Sequence, residues 1–320
     1  MRRLQSCWVV SDGGPGMENE ARGLAEALEV PFVIKRVRPL VPWTWLPARW
    51  WPRPFASLGA GSDRLDPPWP DLVIGCGRKS VPLTLAIRRA SRGQTFTVQL
   101  QHPRVSRRCF DLVVPPRHDR LKGPNVVSTR GALHRVTPAL LADGALRFGA
   151  AVAHLPKPRV AVLIGGSSAY YRLDAGVASR IAEDLVALCK ATGCGLMLTP
   201  SRRTGIDNER ILQERLRSLP AVIWNGTGEN PYFGYLGLAD FILVTSDSVA
   251  MVSEACATGK PVYVIALPGG GGKFDAFHAG LRADGLTRPF AGKLERWTYA
   301  PLNDTGLVAA EIRRRLGLAA

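Results

Sequence analysis

Apolar residues in this chain gather into short runs, each closed by a turn rich in glycine, serine or proline and most followed by a stretch with helical spacing. The runs at 7–10, 31–36, 71–75, 95–100, 110–114 and 125–128, and again at 160–164, 195–199, 222–224, 241–244 and 262–265, are mostly continuous rather than alternating. Continuous runs of this length predict parallel strands buried on both faces. Helices are predicted over 20–28, from 77 to about 90, over 137–153 and 174–192, from 205 to about 219, up to Leu238, from about 249 to 258, around His278, and over 305–316. Strand–helix alternation of this kind predicts an α/β fold. The opening of strand, glycine-rich turn and helix occurs twice, at 7–28 and at 160–192, which predicts two Rossmann-like domains, and 320 residues suit two domains of ordinary size. The predicted boundaries are 1–153 for the first domain, with an insert at 39–70, and 159–300 for the second. The linker is Leu155-Pro-Lys-Pro158, and 301–320 forms a helix returning to the first domain.

The stretch from Asp240 to Ile265 is the most informative. A strand ends in Thr245-Ser-Asp-Ser248, whose side chains can cap a helix N-terminus. Val249, Val252 and Cys256 share the sheet-facing side of that helix, and Glu254 projects from roughly the opposite side. Gly259 fits a left-handed C-cap and Pro261 blocks continuation. A helix N-terminus at the C-terminal end of a parallel strand is a natural anion site. The plainer alternative is an ordinary capped helix with a surface Glu.

Every other polar cluster also follows a strand: 11–19, 101–104, 165–168, 201–204 and 229–232. In open α/β sheets ligands bind outside the carboxyl ends of the strands. If both sheets present these ends to a shared cleft, the clusters converge on a phosphorylated ligand. Arg202 and Arg203, with the hydroxyls of Ser201 and Thr204, read as a phosphate clamp. Asp12, Glu18 and His102 are the possible bases. Each also has a structural reading: a turn former, a first-turn helix acid and a loop histidine.

Charge sharpens the partner. Lys and Arg number 42 against 26 Asp and Glu, a formal net charge of +16. This favours anionic partners, although a solvated basic surface would look the same. No dense Lys/Arg tail is present, so no nucleic-acid partner is expected. The 39–70 insert carries Trp43, Trp45, Trp50 and Trp51 with Arg49 and Arg53 interleaved. It reads either as an interfacial patch for an anionic membrane or as an irregular loop packed under the first domain. The six cysteines are scattered with no C-x-x-C pair, and no secretory signal or run of ~20 apolar residues is visible. The expectation is a cytoplasmic protein with reduced thiols, peripheral on the inner membrane if the insert is interfacial. His and Cys spacing offers no metal cluster.

Ser246-Asp-Ser248, Ser253-Glu-Ala255 and Gly259-Lys-Pro-Val262 together resemble the nucleotide-binding segment of GT-B glycosyltransferases. That resemblance implies phosphate contacts from Ser246 and Ser248 and a ribose contact from Glu254. More widely, the chain is similar to the bacterial relatives of the plant mitochondrial-fission ELM proteins. The similarity is carried by Asp12-Gly-Gly-Pro-Gly-Met-Glu-Asn19, Gln101-His-Pro-Arg104, Phe110-Asp-Leu-Val-Val114, His118-Asp119, Gly123-Pro-Asn125, Thr129-Arg-Gly-Ala-Leu-His134, Ile164-Gly-Gly166, Ser201-Arg-Arg-Thr204, Asn230-Pro-Tyr232 and Ser246-Asp-Ser248. The first turn departs from that family's usual pattern, with Met17 where a His is common. The resemblance implies a GT-B-like enzyme with a nucleotide-diphosphate sugar as substrate and no cofactor or metal. Donor contacts would come from Gly165, Gly166, Ser167, Ser201, Arg202, Arg203, Asn230, Tyr232, Ser246, Asp247, Ser248 and Glu254. The acceptor would lie on the first domain, a lipid-linked one if the Trp-rich insert meets a membrane. An epimerase on the same donor and a non-catalytic adaptor at a membrane are the alternatives.

Overall fold

A computed structural model describes residues 4–318. The chain divides into two compact units, one formed by residues 1–135 with 303–320, the other by 136–302. In the first, β1 (Cys7–Ser11), β2 (Phe32–Arg36), β3 (Leu72–Cys76), β4 (Phe96–Leu100) and β5 (Leu112–Val114) form one sheet in the order β2-β1-β3-β4-β5. All neighbours are parallel, with Val9 opposite Ile34 on one side and Ile74 on the other. The buried runs of β1 and β3 match the continuous apolar pattern. The helix α1 (Pro15–Ala27) starts earlier than its pattern suggests. The stretch Gly16-Met-Glu-Asn19 looks like a turn, but Pro15 occupies the first helical turn, where its missing N–H costs nothing. The helix α2 (Val81–Ala90) follows β3. The run 125–128 is not a strand. It makes only isolated bridges, because the Asn125 side chain binds the carbonyls of Arg107 and Phe110 at 2.8 and 2.9 Å.

The second unit begins with α3 (Pro138–Phe148), capped by the Thr137 hydroxyl. Its sheet comprises β6 (Arg159–Ile164), β7 (Gly195–Pro200), β8 (Ala221–Ile223), β9 (Phe241–Thr245), β10 (Val262–Ile265) and β11 (Thr287–Pro289), in the order β11-β10-β9-β6-β7-β8 and again all parallel. The helices are α4 (Ala175–Thr192), α5 (Ile206–Leu216), α6 (Tyr232–Leu238), α7 (Val249–Cys256) and α8 (Lys273–Ala283). The sequence reading assigns α3 to the first domain, but its packing places it in the second. Gly144 and Gly234 bring the backbones of α3 and α6 together, since a Cβ on Gly144 would lie 2.7 Å from the Gly234 nitrogen. Core residues of the second unit lie on both faces of its sheet, Val162 and Leu198 on one and Leu163 and Val244 on the other.

The terminal helix α9 (Asp304–Leu316) belongs to the first unit, with Val308, Ala309 and Ile312 buried among Ala21, Leu24 and Leu28. Asp304 accepts from the backbone N–H groups of Arg130 and Gly131 at 2.7 and 2.8 Å. Thr305 exchanges hydrogen bonds with the His134 backbone, at 2.9 and 3.1 Å.

Candidate functional site

Strand order locates the site. In the second unit the chain winds from β6 outward through β7 and β8, then returns to β9 on the other side of β6. The crevice at such a reversal, beyond the strand carboxyl ends, is where open α/β sheets place ligands. Here it is bounded by 165–168 after β6 and by Thr245-Ser-Asp-Ser248 after β9.

Asp247 is the hub of this turn. Its carboxylate is fully buried and accepts from the Thr245 hydroxyl at 2.7 Å, the Gly166 N–H at 3.0 Å and the Arg203 guanidinium at 2.7 Å. Thr245 in turn accepts from the Gly165 N–H at 2.7 Å. Thr204 donates to the Gly165 carbonyl at 2.6 Å. Three strand-end loops are thus tied through one acid. This explains the Gly-Gly pair without a ligand: a Cβ on Gly165 would overlap the Asp247 carboxylate, and one on Gly166 the Arg203 carbonyl.

Several expected donor contacts are already hydrogen-bonded to the chain's own backbone. Ser246 accepts from the Leu267 N–H at 3.0 Å, and its carbonyl pairs with His278 Nε2 at 2.8 Å. Ser167 is hydrogen-bonded to both N–H and C=O of Leu173. Ser201 accepts from the Arg203 N–H at 3.2 Å, and Asn230 from the Tyr232 N–H at 3.0 Å, which shapes the turn into α6. Ser248 caps α7 by accepting from Met251 N at 3.3 Å. Arg202 is exposed and makes no side-chain hydrogen bond or ion pair among the described residues.

Glu254 is not the surface acid that helical spacing suggests. It is only 7% exposed, and the Tyr232 hydroxyl donates to it at 2.6 Å. Burial and the adjacent carboxylate push the Tyr232 hydroxyl well above its usual range. Lys260, in the Gly-Lys-Pro-Val stretch, also has a structural task. Its ammonium donates to the carbonyls of Leu236 and Gly237 at the end of α6, at 2.7 and 2.6 Å, and burial lowers it to about 8.

The first unit has its own reversal, between β1 and β3. Asp12 pairs there with Lys79 at 3.0 Å and accepts from the Gly14 N–H. Glu18 forms two 2.8 Å bonds to Arg36, which hold its carboxyl below the usual range. Met17 fills the space between Gly14 and Gly77. His102 is exposed and accepts from the Arg104 N–H at 3.0 Å; no hydrogen bond or ion pair joins it to either acid among the described residues.

The four tryptophans of the insert divide. Trp51 is buried and Trp43 half-buried, their rings 6.1 Å apart, whereas Trp45 and Trp50 are 74% and 55% exposed. Trp51 is thereby removed from the expected membrane set. No helix among the described residues is long and apolar enough to cross a membrane. The support that Thr245, Thr204 and His278 give to Gly165 and Ser246 was not legible in the sequence, since each of these bonds spans more than 30 residues.

The model of the mitochondrial fission ELM1 family matches residues 15–316. This chain belongs to that family. The mitochondrial fission protein ELM1 of Arabidopsis thaliana is 37% identical over 274 residues, covering 77% of this chain and 64% of the relative, so the chain spans under two thirds of the relative's length. Among solved structures, the UDP-GlcNAc 2-epimerase of Methanocaldococcus jannaschii in complex with UDP-GlcNAc and UDP aligns over 98% of this chain and 99% of its own, with a TM-score of 0.53 at 11% identity. The Neisseria meningitidis UDP-GlcNAc 2-epimerase bound to UDP-GlcNAc aligns over 97% and 91%, with a TM-score of 0.50 at 11% identity. At such identities the likeness concerns the fold: the ELM1-family chain has the two parallel α/β sheets of GT-B-like proteins.

Proposed function

We propose that the second unit of this ELM1-family chain binds a nucleoside-diphosphate sugar and that the protein is a glycosyltransferase. The observation that carries the reading is Glu254: an acid buried on the helix that starts at the strand reversal, oriented by a tyrosine. It is suited to accept from two ribose hydroxyls. The N-terminus of α7, the Ser248 hydroxyl and Arg202 provide positive potential and donors for a diphosphate. Arg203, already fixed on Asp247, presents its remaining N–H groups without further ordering cost. The folds with which the chain aligns include proteins solved with UDP-GlcNAc, which supports this class of donor.

In transfer, the acceptor oxygen bonds to the anomeric carbon as the bond from that carbon to the diphosphate breaks. The nucleoside diphosphate leaves with its charge met by the donors above. The acceptor hydroxyl gives up its proton to a general base, a role to which Glu18, held below the usual range by Arg36, is poorly suited. Thermal shift with nucleoside diphosphates and their sugar conjugates tests the reading. A rise in Tm with one of them, lost in Glu254→Ala, is expected; no rise with any would overturn it. Product analysis then separates transfer to an acceptor from isomerisation of the donor.

A second reading is favoured by the hydrogen bonds that Ser167, Ser246 and Asp247 already make within the chain, which leave few free polar groups. In that reading the GT-B-like shell is a non-catalytic adaptor. Such a protein tolerates both Glu254→Ala and Arg202→Ala without loss of partner recruitment.

A further inference from the structure

We infer that residues 38–53 form a docking surface for an anionic lipid bilayer. Of the nine exposed large hydrophobic side chains among the described residues, Leu40, Val41, Trp45 and Trp50 fall within this one segment. The others stand apart in sequence. Isolated exposed apolar residues are ordinary, but clustered ones mark an interaction site.

The segment is held in shape rather than collapsed. Trp43 and Trp51 pack on each other, and Trp51 Nε1 donates to the Leu46 carbonyl at 3.4 Å. Arg78 reaches from the start of α2 to the Thr44 carbonyl. A short 3-10 turn, Ala48–Trp50, then presents Arg49 and Trp50 side by side, with the guanidinium carbon 5.5 Å from the indole centroid. Two indoles face inward as ballast for the loop and two face solvent. Trp45 and Trp50 have the size and amphipathic edge that suit the headgroup level of a bilayer.

Charge selects the occupant. Arg38, Arg49 and Arg53 are exposed, none forms an ion pair among the described residues, and no acid occurs between Glu29 and Asp63. A protein partner would be expected to meet apolar side chains with apolar side chains and the arginines with scattered acids. A bilayer containing acidic phospholipid supplies acyl chains under a continuous sheet of phosphate, matching mixed indole and guanidinium groups. This surface rests on no part of the donor assignment.

The test is co-sedimentation of the full chain with sucrose-loaded vesicles, of phosphatidylcholine alone or mixed with phosphatidylglycerol. Binding to the mixed vesicles that weakens with salt is expected, with little binding to phosphatidylcholine. Trp45→Ser with Trp50→Ser should lower partitioning roughly tenfold or more, and Arg49→Gln with Arg53→Gln by a similar factor. Both pairs are solvent-facing, so Tm should not move, nor should any shift caused by a nucleotide. Wild-type protein that stays in solution with the mixed vesicles, or partitions equally to both kinds, overturns the proposal. So does a dimer in solution that the tryptophan pair of substitutions dissolves, since the occupant would then be a second copy of the chain.

Discussion

The hydroxyl of Tyr232 donates to Glu254 at 2.6 Å, joining the first residue of α6 to a buried acid on α7. This bond fixes the orientation of the carboxylate. Tyr232→Phe should therefore weaken nucleoside-diphosphate binding by roughly fivefold and Glu254→Ala by about tenfold or more, in line with bonds to a charged group. Calorimetry with a 2′,3′-dideoxy diphosphate supplies the control. It should bind wild type weakly and be indifferent to both substitutions. Equal losses for the dideoxy and ribose ligands would place Glu254 elsewhere than at the ribose.

Gly166→Ala should destabilise the protein by about 3 kcal/mol or more, because the added carbon meets the Arg203 carbonyl, a backbone atom that cannot swing aside. Asp247→Ala should cost a similar ~3 kcal/mol, by leaving buried donors on Gly166 and Thr245 unsatisfied. Urea unfolding measures both. A Gly166→Ala protein as stable as wild type would mean that the loop relaxes freely.

The two arginines of Ser201-Arg-Arg-Thr204 should separate. Arg202→Ala should leave Tm within about 1 °C, since a partnerless surface residue contributes little to stability, and should lower diphosphate affinity. Arg203→Ala should lower both, because it also removes a partner from Asp247. Paired melting and binding measurements on the two variants decide the matter; identical profiles would contradict the division.

His278 gives a pH signature. Burial, with Arg282 nearby, lowers its imidazole below the ordinary 6.5, against the opposing pull of the Ser246 carbonyl, Asp275 and Asp247. A histidine that resists protonation only when folded has no effect above 6.5. It costs stability as pH falls from there toward its folded value. Unfolding at about pH 7.5 and about pH 5.5 should show a loss that His278→Gln reduces, since the amide can still donate to Ser246. Glu18 and Glu26, lowered from 4.5, act only in more acid solution. An unchanged loss in the variant would assign the slope to other groups.

Much of the architecture was legible because strands buried on both faces write themselves as apolar runs: β1, β3, β6 and β9 all lie where those runs are. The strand reversal bounded by Gly165 and Ser248 was approachable for the same reason, since polar turns follow those strands. What failed was decided at long range. Asn125 reads as a strand start, but its side chain satisfies the carbonyls of Arg107 and Phe110. α3 reads as part of the first domain, yet a glycine 90 residues further on, Gly234, lets α6 approach it. Glu254 reads as exposed until Tyr232 covers it. The close approach of Asp247 and Arg203 to Gly165 and Gly166 likewise spans loops far apart in the chain.

Thr305 is bonded to His134 on both its donor and acceptor sides, so the point where the chain leaves the first unit is stitched to the point where it comes back. During synthesis the second unit emerges as an uninterrupted piece and can fold as soon as it is clear of the ribosome. The first unit, although begun earlier, waits for residues 304–316 to supply α9. An interrupted translation product would therefore carry a finished second unit beside a first unit with an open groove along Ala21, Leu24 and Leu28, an apolar strip for chaperones to hold until Ile312 arrives.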